Sequence, residues 1–309
     1  MVLENQDIIS RIIFMGTPEY ADKILEKILQ EKNFEVVGVF TQPDKPVGRK
    51  KVITPPPVKI RAEKNSIPVF QPQKLRDAVD KIRSLNPDFI VVGAYGQILT
   101  QDILDIAPSI NLHTSILPKY RGASPIQQTL LNGDKETGVT AMKMDRGLDT
   151  GDILAVSRVQ IDNSWKLEEL YQKLTDMAGE LIVDVLNRYS DLKPIPQNSS
   201  DASHCGKILK SDGEISFKLS SKNIIQKFKA LTPWPSIYLQ NGLKLLDISK
   251  SKDGSFLQGE ILEVGKDFIS VGCKNGSIQI KEVQPKSKSR MSVISYINGK
   301  RLKIGEQFI

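Results

Sequence analysis

Three side chains in the first half of the chain have the types and spacing for acyl transfer. Asn111 and His113 are two residues apart in an apolar segment, so in a β-strand both leave by the same face. A second segment, residues 144–152, contains three aspartates, and the carboxylate of one of them could orient a histidine. An amide can stabilise a carbonyl oxygen that becomes an oxyanion, and an imidazole oriented by a carboxylate can move protons. The set suits direct acyl transfer to an amine, without a covalent nucleophile.

Each of these residues also has a structural interpretation. The chain contains two histidines, His113 and His204, and a lone histidine is often a packed core residue. The three aspartates and two glycines of residues 144–152 can form a turn in which the aspartates bond their own backbone. His204 stands beside Cys205 in a polar stretch, and we expect no catalytic role for it. His113 is then the one imidazole available for catalysis.

Several common motifs are absent from the sequence. The turn after the first predicted strand, residues 15–19, has one glycine where a dinucleotide fingerprint has three, and no phosphate-binding P-loop occurs. The lack of a G-x-S-x-G elbow argues against a serine hydrolase. Two cysteines and two histidines without metal-ligand spacing predict that no metal is bound.

The residues for chemistry must be positioned by the elements around them. Apolar runs alternate with helix-length segments, which is typical of an α/β fold with a Rossmann-like, doubly wound, mostly parallel sheet. The predicted strands are 11–15, 34–40, 89–93, 109–113, 140–144 and 153–161, and the predicted helices are 21–30, 75–85, 125–131 and 167–188. Thr17 is expected to cap the first helix. Asn111 and His113 then lie at the carboxyl end of a strand, where such sheets bind ligands.

The chain changes character near residue 190. Residues 190–206 are rich in Ser and Pro, which predicts a linker. Beyond them, short apolar runs are separated by Asn-Gly and Asp-Gly turns, which predict a small all-β barrel or sandwich. We therefore expect a catalytic domain over residues 1–189, a linker over 190–206 and a basic β domain over 207–309.

Charge follows the same division. Residues 1–205 contain 25 basic and 27 acidic side chains, whereas residues 206–309 contain 18 basic and 9 acidic ones. Residues 41–64 are a basic exception in the first part, with seven basic and two acidic side chains. Clustered Lys and Arg attract polyanions, so nucleic acid is the expected partner, and a solvated lysine-rich surface is the alternative. No basic amphipathic helix accompanies the charge, which argues against a membrane surface.

Several segments together are typical of one enzyme family. They are Phe14-Met-Gly-Thr-Pro18, Thr41-Gln-Pro-Asp44 with Gly48-Arg49, Asn111-Leu-His113 with Ser115-Ile-Leu-Pro118, Tyr120-Arg-Gly-Ala-Ser-Pro125 and Gly147-Leu-Asp-Thr-Gly151. The chain resembles the folate-dependent formyltransferases from about Arg11 to its C-terminus. Residues 41–51, the segment 207–215 and the basic β domain narrow the resemblance to the methionyl-tRNA formyltransferases. Thr114, Ile116 and Phe217 depart from the usual family residues, which puts only fine packing in question.

The resemblance implies transfer of a formyl group from 10-formyltetrahydrofolate to the α-amine of methionyl initiator tRNA. It implies that Asn111 stabilises the oxyanion, that His113 is the acid/base group or a second stabiliser, and that Asp149 holds His113 and helps to relay protons. It also implies that the C-terminal domain is an OB-like barrel that holds tRNA. The folate is expected on Ser115, Ile116, Leu117 and Pro118, with residues 94–99, and the tRNA on Arg49, Lys50, Lys51, Lys207 and Lys210.

Two other functions stay open at this point. The same chemistry can serve a small amine, such as glycinamide ribonucleotide or an amino sugar nucleotide, although a small substrate does not require a separate basic domain. A nucleic-acid-binding module without catalysis is the second alternative. The apolar runs are far shorter than a membrane span, and no signal peptide is recognisable, so we expect a cytoplasmic protein that binds no membrane. A monomer is also expected.

Overall fold

The computed structural model describes residues 9–48 and 50–308. The described residues form two compact units. The first takes the chain up to Pro125 together with Glu136–Gln160 and Tyr171–Cys205, and the second takes Ile126–Lys135, Ile161–Leu170 and the chain from Gly206 onward. The predicted assignment of catalysis to residues 1–189 and of tRNA binding to residues 207–309 stays a prediction.

The elements alternate between strands and helices in the first part of the chain and are mainly strands in the last third. The strands are β1 (Ser10–Gly16), β2 (Phe34–Phe40), β3 (Lys45–Val47), β4 (Val52–Thr54), β5 (Val69–Phe70), β6 (Phe89–Gly93), β7 (Ser109–His113), β8 (Arg121–Gly122), β9 (Glu136–Lys143), β10 (Ile153–Gln160), β11 (His204–Cys205), β12 (Glu214–Ile215), β13 (Ile237–Leu239), β14 (Lys244–Lys250), β15 (Ile261–Val264), β16 (Ile269–Gly272), β17 (Ser277–Gln284) and β18 (Met291–Ser292). The helices are α1 (Glu19–Ile28), α2 (Pro57–Lys64), α3 (Val79–Ser84), α4 (Gln101–Leu104), α5 (Pro125–Asn132), α6 (Leu167–Asn187), α7 (Ser221–Leu231) and α8 (Val293–Lys300). Single 3₁₀ turns lie at Leu75–Ala78, Tyr189–Asp191, Ser199–Asp201 and Lys210–Gly213.

The main sheet of the first unit has the strand order β10-β9-β7-β6-β1-β2-β5. The strands from β7 to β5 pair in parallel, whereas β9 pairs antiparallel with β7 and β10 antiparallel with β9. Residues 12–15 of the central strand β1 are fully buried, because helices cover both faces of a doubly wound sheet. The predicted Rossmann-like, mostly parallel α/β sheet is confirmed.

The sheet order changes direction at β1. From β1 the chain builds outward to β2 and β5 on one side and to β6 and β7 on the other. Loops that leave the carboxyl ends of β1 and β6 therefore diverge and open a crevice at this edge. Asn111 and His113 lie in the last three residues of β7, next to β6, so they belong to this edge.

Helix α1 packs closely on the end of β1. A Cβ atom at Gly16 would lie 2.5 Å from the Cβ of Ala21, so only glycine allows this approach. The prediction that Thr17 caps α1 is wrong. Pro18 occupies the cap position without a side-chain bond, and the Thr17 hydroxyl donates to the carbonyl oxygen of Tyr95. Thr17 therefore connects the loop after β1 with the loop after β6.

The second unit is built on one sheet with the strand order β12-β13-β14-β17-β16-β15, and β18 pairs with β17. The strands from β13 to β15 along this order pair antiparallel, and alternate apolar side chains such as Leu245, Ile278 and Ile280 are fully buried. Helices α7 and α8 belong to this unit. The predicted β-rich C-terminal domain is confirmed. Within residues 9–48 and 50–308, no helix combines the length and apolar character that a membrane crossing requires.

Candidate active site

His113 ends strand β7 as a buried side chain, with 6% of its surface exposed. Its Nε2 atom lies 2.9 Å from the carbonyl oxygen of Tyr120. Because a carbonyl oxygen can only accept, the ring donates from Nε2 and turns Nδ1 toward Asp149. The Nδ1 atom lies 3.6 Å from Oδ2 of Asp149, an ion pair when the ring is protonated. The structure thus brings together two of the three residues predicted for catalysis.

Asp149 is held from two sides. Its backbone has a φ of 55°, in the left-handed region that aspartate tolerates better than most residues. Its Oδ2 atom accepts a hydrogen bond of 2.8 Å from the backbone N–H of Gly122, in β8. This bond fixes the carboxylate oxygen that faces His113.

The neighbouring aspartate in the same loop has a different task. Asp145 accepts hydrogen bonds from the N–H of Gly147 and from the hydroxyl of Thr150. The turn interpretation therefore applies to Asp145, while the carboxylate of Asp149 is directed at the histidine. Residues 144–152 thus contain both a turn held by Asp145 and a carboxylate, that of Asp149, which faces His113.

Asn111 precedes His113 by two residues on the same face of β7 and is half-buried. In the sheet it lies between Val92 of β6 and Met142 of β9. Among the described residues, its amide makes no hydrogen bond. The amide is free to donate to a ligand at the crevice, unlike the side chains on either side of it, which are buried.

Helix α1 is hydrogen-bonded to strand β7 through the side chain of Tyr20. The hydroxyl of Tyr20 donates to the carbonyl oxygen of Leu112, between Asn111 and His113. Burial raises the pKa of the Tyr20 phenol, so it keeps its proton and remains a donor. The strand that carries both candidate residues is therefore anchored to the helix behind it.

The loop predicted to bind folate follows β7 directly. Ser115 and Leu117 are buried, and the Ser115 hydroxyl donates to the carbonyl oxygen of Lys119. The Thr140 hydroxyl donates to the carbonyl oxygen of Ser115 and accepts from the N–H of Leu117. The side chains of Ser115 and Leu117 thus shape the loop, while Ile116 and Pro118 are half-exposed and accessible to a ligand. The assignment of these residues to folate stays a prediction.

The loop after β6, residues 94–99, lies at the same sheet edge. Its carbonyl at Tyr95 accepts from Thr17 and from the side-chain amide of Gln42. The Tyr95 hydroxyl is buried without a hydrogen-bond partner among the described residues, and burial raises its pKa to about 12. Ile98 is 84% exposed on this loop and Leu148 is 67% exposed on the Asp149 loop. The edge therefore offers open apolar side chains beside polar groups, which suits a flat heterocycle.

Residues 195–205, here called the strap, were not singled out as part of the site by the sequence. The strap begins at Ile195, which exchanges two backbone hydrogen bonds with Ile153, and it ends as β11, which pairs in parallel with β8. The Ser203 hydroxyl accepts from the N–H of Tyr120. These residues were predicted to form a linker, but they are hydrogen-bonded to the segment 120–122. That segment supplies the carbonyl oxygen that faces His113 and the N–H that binds Asp149. The sequence could not predict these contacts, because single polar side chains in a Ser- and Pro-rich stretch form no periodic pattern.

Cys205 lies at the end of the strap and is also buried. Its thiol donates to the carbonyl oxygens of Tyr120 and Arg121. Burial raises the pKa of the thiol, and the nearby carboxylate of Asp149 adds to the effect. A thiol that keeps its proton is a poor nucleophile, so Cys205 has a packing role.

The residues predicted to contact tRNA lie on exposed segments. Strands β3 and β4 form a hairpin, β3-β4, whose turn contains Lys50 and Lys51, both exposed. Arg49, predicted to contact tRNA, lies outside the described residues. Lys207 and Lys210 are exposed in the second unit, and within residues 9–48 and 50–308 no carboxylate is at ion-pair distance from either. Their contact with tRNA stays a prediction.

Comparison with known proteins agrees with this architecture. The chain matches the family model described as formyl transferase over residues 10–186, and the model described as the formyl transferase C-terminal domain over residues 207–301. The chain belongs to the formyl transferase family. The predicted resemblance is therefore confirmed, and both family regions are present in one chain.

Two relatives of this formyl transferase are similar over nearly their whole length. It is 54% identical to the methionyl-tRNA formyltransferase of Sulfurimonas denitrificans over 299 residues, which covers 96% of this chain and 99% of the relative. It is 55% identical to the methionyl-tRNA formyltransferase of Nitratiruptor sp. over 303 residues, with the same two shares.

A solved structure supports the fold at lower identity. The N-formyltransferase of Helicobacter canadensis, in complex with folinic acid and dTDP-3-aminofucose, superimposes with a TM-score of 0.68 at 20% identity. The match covers 89% of this formyl transferase and 100% of that chain. At this identity the likeness concerns the fold alone.

Proposed function

We propose that this chain transfers the formyl group of 10-formyltetrahydrofolate to the α-amine of methionyl initiator tRNA. The observation that carries the proposal is the His113–Asp149 pair at the end of β7, with the half-exposed Asn111 two residues earlier on the same strand. Its support comes from the 54% and 55% identity to proteins named methionyl-tRNA formyltransferase. We further propose that the chain acts as a monomer in the cytoplasm, which light scattering and fractionation can test.

The reaction exchanges one carbon–nitrogen bond for another. The amine nitrogen forms a bond to the formyl carbon and gives up a proton, while the bond from that carbon to N10 of the folate breaks and N10 gains a proton. Negative charge develops on the formyl oxygen during this exchange. The residues of the site must stabilise that charge and move the proton.

Asn111 is the proposed donor to the formyl oxygen, because it is half-exposed near the strand end and its amide has no hydrogen-bond partner in the part of the chain that the structure describes. His113 donates from Nε2 to Tyr120 and, when protonated, also from Nδ1 to Asp149. In that form the ring places a positive charge beside the reacting carbonyl. Asp149 holds the ring orientation and takes part in moving the proton.

The folate supplies the activated formyl group and is proposed to lie on the loops after β6 and β7. The exposed apolar side chains of Ile98 and Leu148 fit the face of its ring system. Arg146 on the Asp149 loop donates to the side chain of Gln101, the first residue of α4. This bond connects the Asp149 loop with the segment that follows β6. Ile116 and Pro118 provide the half-exposed part of the β7 loop.

The acceptor is proposed to be an RNA because of the charge distribution. Residues 206–309 carry twice as many basic as acidic side chains, and the β3-β4 hairpin adds exposed lysines in the first unit. Each Lys or Arg that neutralises a phosphate releases a counterion, so this charge favours a polyanion over a small amine.

Formyl transfer from 10-formyltetrahydrofolate to methionyl initiator tRNA tests the proposal directly. Glycinamide ribonucleotide and an amino sugar nucleotide serve as competing acceptors in parallel assays. We expect N-formylmethionyl-tRNA from the wild-type chain and a loss of at least 100-fold in rate for Asn111→Ala. Formylation of a small amine alone would overturn the choice of acceptor, and full activity of Asn111→Ala would overturn the proposed mechanism.

A further inference from the structure

Gln197 lies in the strap, and between residues 193 and 200 it is the one residue that is not exposed. Its side-chain oxygen accepts two hydrogen bonds from the guanidinium of Arg121, from Nε at 3.0 Å and from a terminal nitrogen at 2.8 Å. Its Nε2 atom donates to the carbonyl oxygens of Asp149 at 2.9 Å and Gly151 at 2.7 Å. A single amide therefore has four hydrogen bonds on two different loops.

The two loops that meet at Gln197 are the ones that orient the carboxylate. Asp149 adopts a left-handed backbone, which persists where the surrounding contacts hold it. The bonds from Gln197 hold the carbonyl side of this residue, and the N–H of Gly122 holds its carboxylate. Gly122 follows Arg121 directly in β8, so Gln197 also fixes the strand that supplies this N–H.

The β8 side of the arrangement is restricted by close packing. Gly122 has a φ of 116°, and a Cβ atom there would lie 2.2 Å from the carbonyl oxygen of Cys205. The N–H that faces Asp149 therefore has little freedom to follow if the Asp149 loop moves. The relative position of the two loops then depends on the amide that connects them.

We propose that Gln197 is a positioning residue for formyl transfer, holding Asp149 so that its carboxylate stays directed at His113. It acts through Asp149 and does not itself touch the substrates. The kinetic part of this inference rests on the proposed function, whereas the geometric part does not. Loss of the amide lets the Asp149 loop relax, and a shift of about 1 Å at a catalytic group can cost about 100-fold in rate.

Two variants of Gln197 and one control test this role. Gln197→Ala removes all four bonds. Gln197→Glu keeps an acceptor for Arg121 but replaces the donor by an oxygen that faces the carbonyls of Asp149 and Gly151. Gln160→Ala is the matched control, because Gln160 bonds Glu136 at the end of β10 opposite to the site.

The kinetic readout is the separate change in kcat and KM. We expect kcat to fall about 10- to 100-fold in both Gln197 variants, with the KM values for folate and tRNA within twofold of wild type. We expect Gln160→Ala to match wild type. An unchanged kcat, a loss confined to KM, or full activity of Gln197→Glu would overturn the proposal.

The second readout does not need activity. The chain has two histidines, so the side-chain nitrogen resonances of labelled protein separate His113 from His204. We expect the His113 resonances to shift in both Gln197 variants and to stay in place in Gln160→Ala, with His204 unchanged throughout. If wild type formylates no tRNA while His113 still responds, the proposed function fails and the positioning holds. An unmoved His113 in folded Gln197 variants overturns the positioning whatever the acceptor is.

Discussion

The Oδ2 atom of Asp149 lies 3.6 Å from Nδ1 of His113 and at the same time accepts a 2.8 Å hydrogen bond from the N–H of Gly122. One carboxylate oxygen thus serves a side chain at the end of β7 and a backbone donor in β8. Because β8 is itself paired with β11, the orientation of the histidine depends on parts of the chain that follow it by many residues.

The first prediction concerns the two histidines. His113→Asn is expected to lower kcat for formyl transfer by at least 100-fold, because the ring that faces Asp149 is lost. His204→Asn is the matched control, because His204 is exposed in β11 and makes no side-chain hydrogen bond within the described part of the chain. Single-turnover rates of the two variants decide the question, and a kcat of His113→Asn within a few-fold of that of His204→Asn would contradict a role of His113 in the reaction.

The second prediction separates the two aspartates of one loop. Asp149→Asn keeps the size of the side chain and tolerates the left-handed backbone, but it removes the negative charge that faces His113. We expect kcat to fall about 100-fold or more while the thermal midpoint stays close to wild type. Asp145→Ala should instead weaken the turn, because it removes the oxygen that accepts from Gly147 and Thr150, and should lower stability more than kcat.

Calorimetry and single-turnover assays on both aspartate variants check this contrast. An equal loss of stability in the two variants would contradict this division, in which Asp149 acts in catalysis and Asp145 holds the turn.

The third prediction uses the salt dependence of tRNA binding. Lys207→Ala and Lys210→Ala should each lower the slope of log K against log salt by about 0.7 to 0.9, because one phosphate contact is lost. Lys250→Ala and Lys252→Ala are controls, since these lysines are paired with Asp253 and Glu263. Filter binding at several salt concentrations gives the slopes, and equal slopes for all four variants would refute a role of the first pair.

The fourth prediction concerns Tyr95 at high pH. Burial raises its pKa from the ordinary value of 10 to about 12 in the folded chain. Between these values the unfolded chain has lost the proton and the folded chain keeps it, so stability falls as pH rises through this window. Tyr95→Phe removes this contribution, together with a buried hydroxyl that has no partner among residues 9–48 and 50–308, so we expect a flatter loss of stability from pH 10 to 12.

Denaturant unfolding at pH 8, 10 and 11 measures the difference between Tyr95→Phe and wild type. Folate affinity at pH 7 is the accompanying readout. A large loss of affinity in the variant would show that the hydroxyl serves the ligand, whereas identical curves above pH 10 would contradict its raised pKa.

The sheet and the position of Asn111 and His113 were predictable from the sequence. Parallel strands buried on both faces read as continuous apolar runs, and β2, β6 and β7 begin and end at the predicted residues. The period of a strand then places Asn111 and His113 on one face. Residues 75–85, predicted as one helix, divide into a 3₁₀ turn and the short helix α3.

The contacts that complete the site were not predictable in the same way. Asp149 reaches His113 through a left-handed turn, and no spacing rule distinguishes it from Asp145. Thr17 has the sequence context of a helix cap, but the carbonyl of Tyr95 takes its hydroxyl. Gln197 acts through a side-chain amide in a segment whose composition indicates a flexible connection. Such long-range polar contacts depend on how the loops meet, which periodicity does not record.

The strap has a consequence for how this chain can be divided or recombined. A fragment ending at residue 189 would contain Asn111, His113 and Asp149 but would lose Gln197, Ser203 and Cys205, and with them the strand that pairs with β8. A chimaera that replaces the basic C-terminal segment by another acceptor-binding module keeps the catalytic geometry only when the junction lies after Cys205. A fragment that keeps all contacts of the site must therefore extend to the end of β11.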